Sequence, residues 1–195
     1  MEGFAIAYVT CDKYAFMWAE WYKAFEKLWG VDLPCYFCGE EVAAPFFEAL
    51  PHESVPAEKW TTKLKNQLEQ IPEEYVFIWL DDMVQQLKID EEFRALCNWI
   101  TIYKPDALRV MYRDTKAQYI ERGYIVGRPL YKLRPRSPYL ISFSPNIYNK
   151  EFLIDFLDRE ESPWSAELEG SKRLSRRHRI YSYHIPSWVQ NKVIQ

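Results

Sequence analysis

Apolar positions along the chain alternate between two periods, and the alternation predicts a series of strands and helices. Phe4 to Thr10 (FAIAYVT) is a short apolar run with aromatic and β-branched members, the pattern of a buried parallel strand. A helical spacing follows from about Ala15 to Trp29, where Phe16, Ala19, Trp21-Tyr22, Phe25 and Leu28-Trp29 recur at near i, i+3, i+4, i+7 until Gly30 stops it. Leu33 to Phe37 reads as a second strand closed by Gly39, and Pro45 to Pro56 as irregular chain or one short helix. Trp60 to Ile71 is a predicted helix with Thr61 or Thr62 near its start and Pro72 after its end.

Tyr75 to Leu80 (YVFIWL) is the strongest strand signal, apolar on both faces and so expected at the centre of a sheet. It runs directly into Asp81-Asp82-Met83. A helix is predicted from Asp90 to Tyr103, with acids in its first turn and Lys104-Pro105 beyond its end. Ala107 to Tyr112 is a further strand. The stretch 113–138, broken by Gly123, Gly127, Pro129, Pro135 and Pro138, predicts loops and a hairpin. Tyr139 to Phe143 is expected as a strand, Lys150 to Leu157 as a helix, Ser165 to Leu174 as one or two helical turns, and Arg179 to His184 as a closing strand. Strands alternating with helices give an α/β fold: a mostly parallel sheet covered by helices on both faces, in a single compact domain over 1–195.

Composition adds little to this. Hydrophobic residues at 48% and aromatics at 17% suffice for a packed core. No window approaches the ~18 unbroken apolar residues of a membrane span. The N-terminus, MEGFAIAYVTCDKY, has neither a basic leader region nor a small-residue cleavage site, so a cytoplasmic location is expected, bacterial or in a host cell. Cys35 and Cys38 form a C-x-x-C that could be half of a zinc site or a redox pair. A zinc site needs two more soft ligands at matching spacing, and the sequence has no second C-x-x-C or H-x-x-x-H. Small apolar residues within a strand are the simpler use of these cysteines.

Charge changes the picture more. The net charge of −3 conceals a split: 8 Lys+Arg against 18 Asp+Glu in residues 1–100, and 17 against 10 in residues 101–195. Two faces with different partners, or two halves that neutralise each other in the fold, would each give such a split. Between 101 and 140, Lys104, Arg109, Arg113, Lys116, Arg122, Arg128, Lys132, Arg134 and Arg136 interleave with Tyr112, Tyr119, Tyr124 and Tyr131. Lys172, Arg173, Arg176, Arg177 and Arg179 form a second cluster. Cations among aromatics suit a polyanion, or the diphosphate of a donor, an anionic glycan or a lipid carrier.

The chemistry lies at the ends of strands. In open α/β sheets ligands bind outside the carboxyl ends of the strands. That rule selects Thr10-Cys11-Asp12 after the first strand and Asp81-Asp82 after the central one. Two adjacent carboxylates cannot be buried uncompensated. At the rim they suit Mg²⁺ or Mn²⁺, which would neutralise a diphosphate leaving group; alternatively they begin a loop.

Here the residues meet a resemblance. The segment WTTKLKNQLEQIPEEYVFIWLDDM resembles the approach to the acidic metal motif of GT-A (Rossmann-like) nucleotide-sugar glycosyltransferases, closest to small bacterial and phage enzymes of the lipopolysaccharide or capsule type. ISFSPNIYNKEFLIDFL followed by ESPWSAELEGSKR is similar to the second block of those enzymes. The resemblance spans residues 4 to 174. It implies a nucleotide-sugar-binding half, 1–100, and a basic acceptor-side half, 101–195.

It further implies that Thr10, Cys11 and Asp12 receive the base and ribose of a UDP-sugar, that Tyr14 stacks on the base, and that Lys63 pairs with a phosphate. Asp82 becomes the main ligand of Mn²⁺ or Mg²⁺, with Asp81 beside it. Position 83 is Met where the family has a second aspartate, so binding of the ion rests on Asp82 with phosphate and water. Glu167 is the candidate general base and Trp164 a wall for a sugar ring. Ser144 and Asn146 are candidate sugar-hydroxyl partners, and His178 or His184 a late metal ligand. The acceptor implied is a glycan, a lipid carrier, or phage double-stranded DNA carrying hydroxymethylated bases. Two other classes fit the same residues: a nucleotide- or nucleic-acid-binding module with structural acids, and a metal-dependent nucleotidyltransferase.

Overall fold

A computed structural model describes residues 1–42, 44, 46–110, 119–135, 137–174 and 177–191. Tyr112, Arg113, Lys116, Arg136 and Arg176 lie outside the described residues, as does the side chain of Tyr119.

The chain forms β1 (Phe4–Val9), α1 (Ala15–Leu28), β2 (Cys35–Cys38), β3 (Glu48–Ala49), α2 (Trp60–Leu68), β4 (Tyr75–Leu80), β5 (Met83–Gln85) and α3 (Asp90–Tyr103). It continues through β6 (Ala107–Arg109), β7 (Tyr119–Ile125), β8 (Arg128–Leu133), β9 (Asn146–Asn149) and α4 (Lys150–Phe156). It ends with helical chain from Pro163 to Arg173, β10 (Ile180–Tyr183) and β11 (Val189–Asn191). One nine-stranded sheet runs β3-β2-β1-β4-β9-β6-β10-β8-β7. β1 pairs in parallel with β2 and β4, β2 with β3, and β6 with β10. β9 runs against both its neighbours, β4 and β6, and β8 runs against β10 and β7.

Burial on both faces explains why β1 and β4 lack polar alternation. Phe4, Ile6 and Tyr8 of β1 and Phe77 and Trp79 of β4 pack under α1 and α3, whose Trp18, Trp21, Phe93, Leu96 and Ile100 complete that layer. Ala5, Ala7 and Val9 of β1 and Val76 and Ile78 of β4 face the opposite layer, with Leu64 and Leu68 of α2 and Leu153 and Phe156 of α4. The two sides of one strand therefore supply two cores, the period-two consequence of the pleat. The same pleat separates the C-x-x-C: Cys35 packs with the first layer and Cys38 lies in the second. The two thiols point to opposite faces of β2, are not disulfide-bonded, and do not form one ligand pair.

The expected strand 139–143 is a loop, and the strand forms later, at Asn146–Asn149. Leu140, Ile141 and Phe143 are buried, but their apolar side chains enter the second layer while side chains take the backbone bonds of this loop. Ile141 N–H donates to Ser171 Oγ at 3.0 Å, and Phe143 N–H to a Glu167 carboxylate oxygen at 2.6 Å. The Ser142 carbonyl accepts from Asn146 Nδ2 at 2.6 Å and from the Tyr148 hydroxyl. Tyr139 at φ 51° also interrupts an extended run.

The expected hairpin in 113–138 is present as β7–β8, and Met111 and Tyr112 of the strand expected over 107–112 lie outside the described residues. α2 ends at Leu68, three residues before Ile71. Its Thr61 does not cap it: the hydroxyl donates to the Arg159 carbonyl at 2.5 Å and accepts from Glu161 N–H at 2.8 Å, tying α2 to the segment before Pro163.

The charge split is in part neutralised across the fold. Lys104 meets Glu74 at 2.8 Å, Arg128 meets Glu92 at 2.5 Å and Lys59 meets Glu160 at 3.5 Å, each pair joining the two halves of the chain. Arg173 makes a two-pronged bond to Glu161 at 2.7 Å, and Lys172 meets Glu169 at 2.6 Å. Arg109 is buried in β6 and donates to the Tyr139 carbonyl at 2.7 Å. These cations of the basic stretches are structural partners in the fold.

Trp188 closes the first layer from the last described segment, where β11 pairs with β5. Its ring lies 5.3 Å from Trp79 and 6.0 Å from Phe77. Trp188→Ala is expected to cost about 3–5 kcal/mol of stability, the usual loss for a large core aromatic. Urea denaturation will show it as a lower midpoint at unchanged slope.

Candidate functional site

Parallel strands end together, and here three of them end at one cleft. β1 leads into Thr10–Tyr14, β2 into Gly39-Glu40 and β4 into Asp81-Asp82. The register pairs Val9 with Leu80, so Thr10 and Asp81 leave the sheet as neighbours. The Thr10 hydroxyl donates to Asp81 Oδ2 at 2.5 Å and accepts from Trp18 Nε1 at 2.9 Å.

The cleft has a volume of about 520 Å³, within the range of small-molecule sites. Thr10, Cys11, Asp12, Tyr14, Lys63, Asp81, Asp82 and Glu167 all line it, with Trp164. The structure thus brings together the residues that the sequence singled out for donor, metal and base, except the histidines offered as a late metal ligand. Their roles belong to the proposals below.

Ser144, Asn146, His178 and His184 are not among the lining residues. Asn146 is fully buried: its Oδ1 accepts from Val110 N–H at 3.0 Å and its Nδ2 serves the Ser142 carbonyl, so its amide holds the loop and not a sugar. Ser144 Oγ lies 3.0 Å from Ser142 Oγ. His178 faces Asp106 at 3.5 Å, and its ring lies tilted at 5.0 Å from Phe152.

Three lining groups were not anticipated. Glu40 follows Gly39, where an added Cβ would meet the Phe37 ring at 2.2 Å, so the chain turns there at close quarters. Its carboxylate receives Asp12 N–H at 3.1 Å and Lys63 Nζ at 3.1 Å. Lys63, only 1% exposed, also donates to the Thr10 carbonyl at 3.0 Å. This places Lys63 otherwise than on a free helix face: two of its three donors hold the turn after β1. Trp60 and Phe143, edge to face at 4.7 Å, make an apolar wall that also includes Val55 and Pro163. An acid two residues past a strand gives no sequence signal of its own. Only the packing of α2 on the sheet brings Lys63 to Glu40.

Electrostatics divide the carboxylates. Asp81 is 7% exposed, and burial, reinforced by repulsion from Asp82, lifts its carboxyl to about 6 against the pull of the Thr10 hydroxyl. Glu167 is also raised by burial, with Asp82 adding to the rise, while the Phe143 N–H, a Ser142 bond and Arg109 act against it. Asp82 and Glu167 line the same cleft. Glu167 stands on a π-helical turn, Ala166–Gly170, inside the helical chain Pro163–Arg173, a departure from regular helix that often accompanies function. The Ser162 hydroxyl caps the first turn by accepting from Ser165 N–H at 3.2 Å, and Pro163 opens it.

Among the described residues no group of three or more His, Cys, Asp or Glu is placed to hold a metal ion. Asp81 and Asp82 by themselves are a donor set that suits Mg²⁺ or Mn²⁺ completed by phosphate and water. Such an ion would also answer the charge of the lining, where Asp12, Glu40, Asp81, Asp82 and Glu167 face only Lys13 and Lys63.

No family model and no curated protein matches the chain. Solved structures do. S. aureus TarS 1–349 in complex with UDP aligns at TM-score 0.56 and 10% identity over 93% of this chain and 60% of that one. UDP-glucose pyrophosphorylase complexed with UDP-glucose aligns at 0.55 and 9% over 94% of this chain and 90% of that one. The 4-diphosphocytidyl-2C-methyl-D-erythritol synthase of Anaerococcus prevotii aligns at 0.53 and 10% over 100% and 94%. The chain shares their fold, a GT-A-like, Rossmann-like mixed sheet with helices on both faces. It spans about three-fifths of the TarS chain.

The raised Asp81 carboxyl yields a measurable consequence. It holds its proton to about pH 6 when folded but only to about 3.9 unfolded, so the folded state carries more protons in that window and loses stability as pH rises through it. Asp81→Asn, studied in EDTA, is expected to raise stability by about 1–3 kcal/mol at pH 8 and by almost nothing at pH 4. Urea titrations at the two pH values check this. An equal effect at both would contradict the assignment.

Proposed function

We propose that the protein transfers a sugar from a nucleotide-diphosphate sugar, a UDP-sugar in the first instance, to an acceptor hydroxyl. One observation carries the proposal: Asp82, at the carboxyl end of β4, and Glu167, on a separate helix, line one cleft together with the turn after β1. That turn offers what a nucleoside needs, in Asp12 for ribose or base hydrogen bonds and Tyr14 for stacking. The bound nucleotides named for TarS and UDP-glucose pyrophosphorylase support this choice of donor.

In this reaction the acceptor oxygen bonds to the anomeric carbon, the bond from that carbon to the diphosphate oxygen breaks, and the diphosphate leaves with the electron pair. Glu167, raised by burial yet fixed by Phe143 N–H, takes the hydroxyl proton as the bond forms and returns it to water. Asp82, with Asp81 beside it, would hold a divalent ion, which would supply neutralisation of the leaving diphosphate. Glu40 and Lys63 keep the donor turn in shape through the Thr10 carbonyl and Asp12 N–H.

A second proposal, nucleotidyl transfer, is favoured by one fact: the chain matches UDP-glucose pyrophosphorylase and the diphosphocytidyl synthase over nearly their whole length. The products separate the two. Sugar transfer releases UDP from UDP-sugars, whereas nucleotidyl transfer releases pyrophosphate from a nucleoside triphosphate and a sugar phosphate. UDP release that needs Mn²⁺ or Mg²⁺ and is lost in EDTA is the expected result. Asp82→Asn should lower it by ~100-fold or more with the fold retained. Glu167→Gln should lower kcat by about 10²–10⁴-fold with little change in donor KM. An active Asp82→Asn protein would remove the metal assignment, and stabilisation by no nucleotide at all would favour a non-catalytic module.

A further inference from the structure

The acceptor side of the cleft differs from the donor side, and its chemistry narrows the acceptor. Trp164 is 68% exposed at the lip, beside Pro163 and three residues before Glu167. No described ring stacks on it. Most tryptophans of this chain are in the core: Trp18, Trp21, Trp29, Trp79 and Trp188 are buried. A large aromatic face left in water next to the candidate base loses the stabilisation that burial would bring. Phe143 and Glu167 line the same cleft.

Among the described residues, the charge of the cleft favours a neutral acceptor over a polyanion. The lining carries Asp12, Glu40, Asp81, Asp82 and Glu167 against Lys13 and Lys63, and Lys63 is already bonded to Glu40. Arg173 and Lys172, which follow Glu167 in the chain, are bonded to Glu161 and Glu169. An anionic acceptor would approach a lip whose neighbouring cations are already matched by acids. A pyranose offers instead an apolar C–H face and hydroxyl donors, complementary to an exposed indole beside carboxylates.

We infer that the acceptor is an uncharged pyranose-containing glycan, whose ring stacks on Trp164 and presents its hydroxyl to Glu167. This rests on the sugar-transfer proposal above and specifies its acceptor. Trp164 is then the residue that sets acceptor affinity.

The test uses the full chain with the UDP-sugars that release UDP, first without acceptor. Radiolabelled transfer is then measured to neutral pyranose trisaccharides, to heparin oligosaccharides and to a duplex containing hydroxymethylcytosine. Labelled product is expected from the neutral trisaccharides alone, with an acceptor KM that changes less than about twofold between 50 and 300 mM NaCl, since no ion pairs are screened. Trp164→Ala is expected to raise acceptor KM on the order of tenfold while donor KM moves less than about twofold, and Trp164→Phe to recover part of the loss. Transfer to heparin or DNA with a KM that climbs steeply with salt would overturn the inference. So would donor turnover with no neutral sugar accepting, or an acceptor KM indifferent to Trp164→Ala. Failure of every UDP-sugar to release UDP would instead bring down the sugar-transfer proposal and this inference together.

Discussion

Val9 and Leu80 face each other across the β1–β4 ladder, so the next residues of the two strands, Thr10 and Asp81, emerge side by side and are joined at 2.5 Å. The cleft depends on this register. A slip of one residue would turn every β1 side chain to the opposite layer and carry Thr10 away from Asp81. The slip is opposed by the two cores, because Tyr8 and Trp79 fill one side while Val9 and Ile78 fill the other. Packing remote from the cleft therefore sets the position of its carboxylates.

Around that junction lies a buried polar network with little slack. Trp18 bonds to Thr10, Lys63 to the Thr10 carbonyl and Glu40, and Glu40 to Asp12 N–H. Removing one partner of the Lys63–Glu40 pair would leave the other charge buried and uncompensated. Asp81, held largely out of water beside Asp82, is a carboxyl whose ionisation the fold resists. Such a concentration of acids costs stability in the ligand-free protein and is relieved by a cation, which is why it fits a site better than a scaffold.

Much of this was legible from local pattern. The apolar runs of β1 and β4, the helix Asp90–Tyr103, and the acids at strand ends follow from periodicity and from the cost of burying charge. The strand expected at Tyr139–Phe143 fails because the same apolar alternation serves a loop when side chains such as Asn146, Ser171 and Glu167 bond to its backbone. Those bonds join residues far apart in the chain, and no window along the sequence contains both partners. Part of the basic stretches is decided in the same way: Arg109 turns inward, and Arg128, Lys104 and Arg173 find acids elsewhere in the fold.

The sequence by itself determined the class of fold, the sheet's central strands and the pair of aspartates at the end of one of them, because each is encoded in neighbouring residues within one element. Tertiary structure alone decided that Lys63 belongs to Glu40, that Glu167 and Asp82 line one cleft, and that Trp164 stays in water while most other tryptophans are covered. These are distances between elements, set by register and by the packing of helices on two faces, and a linear pattern carries no measure of them.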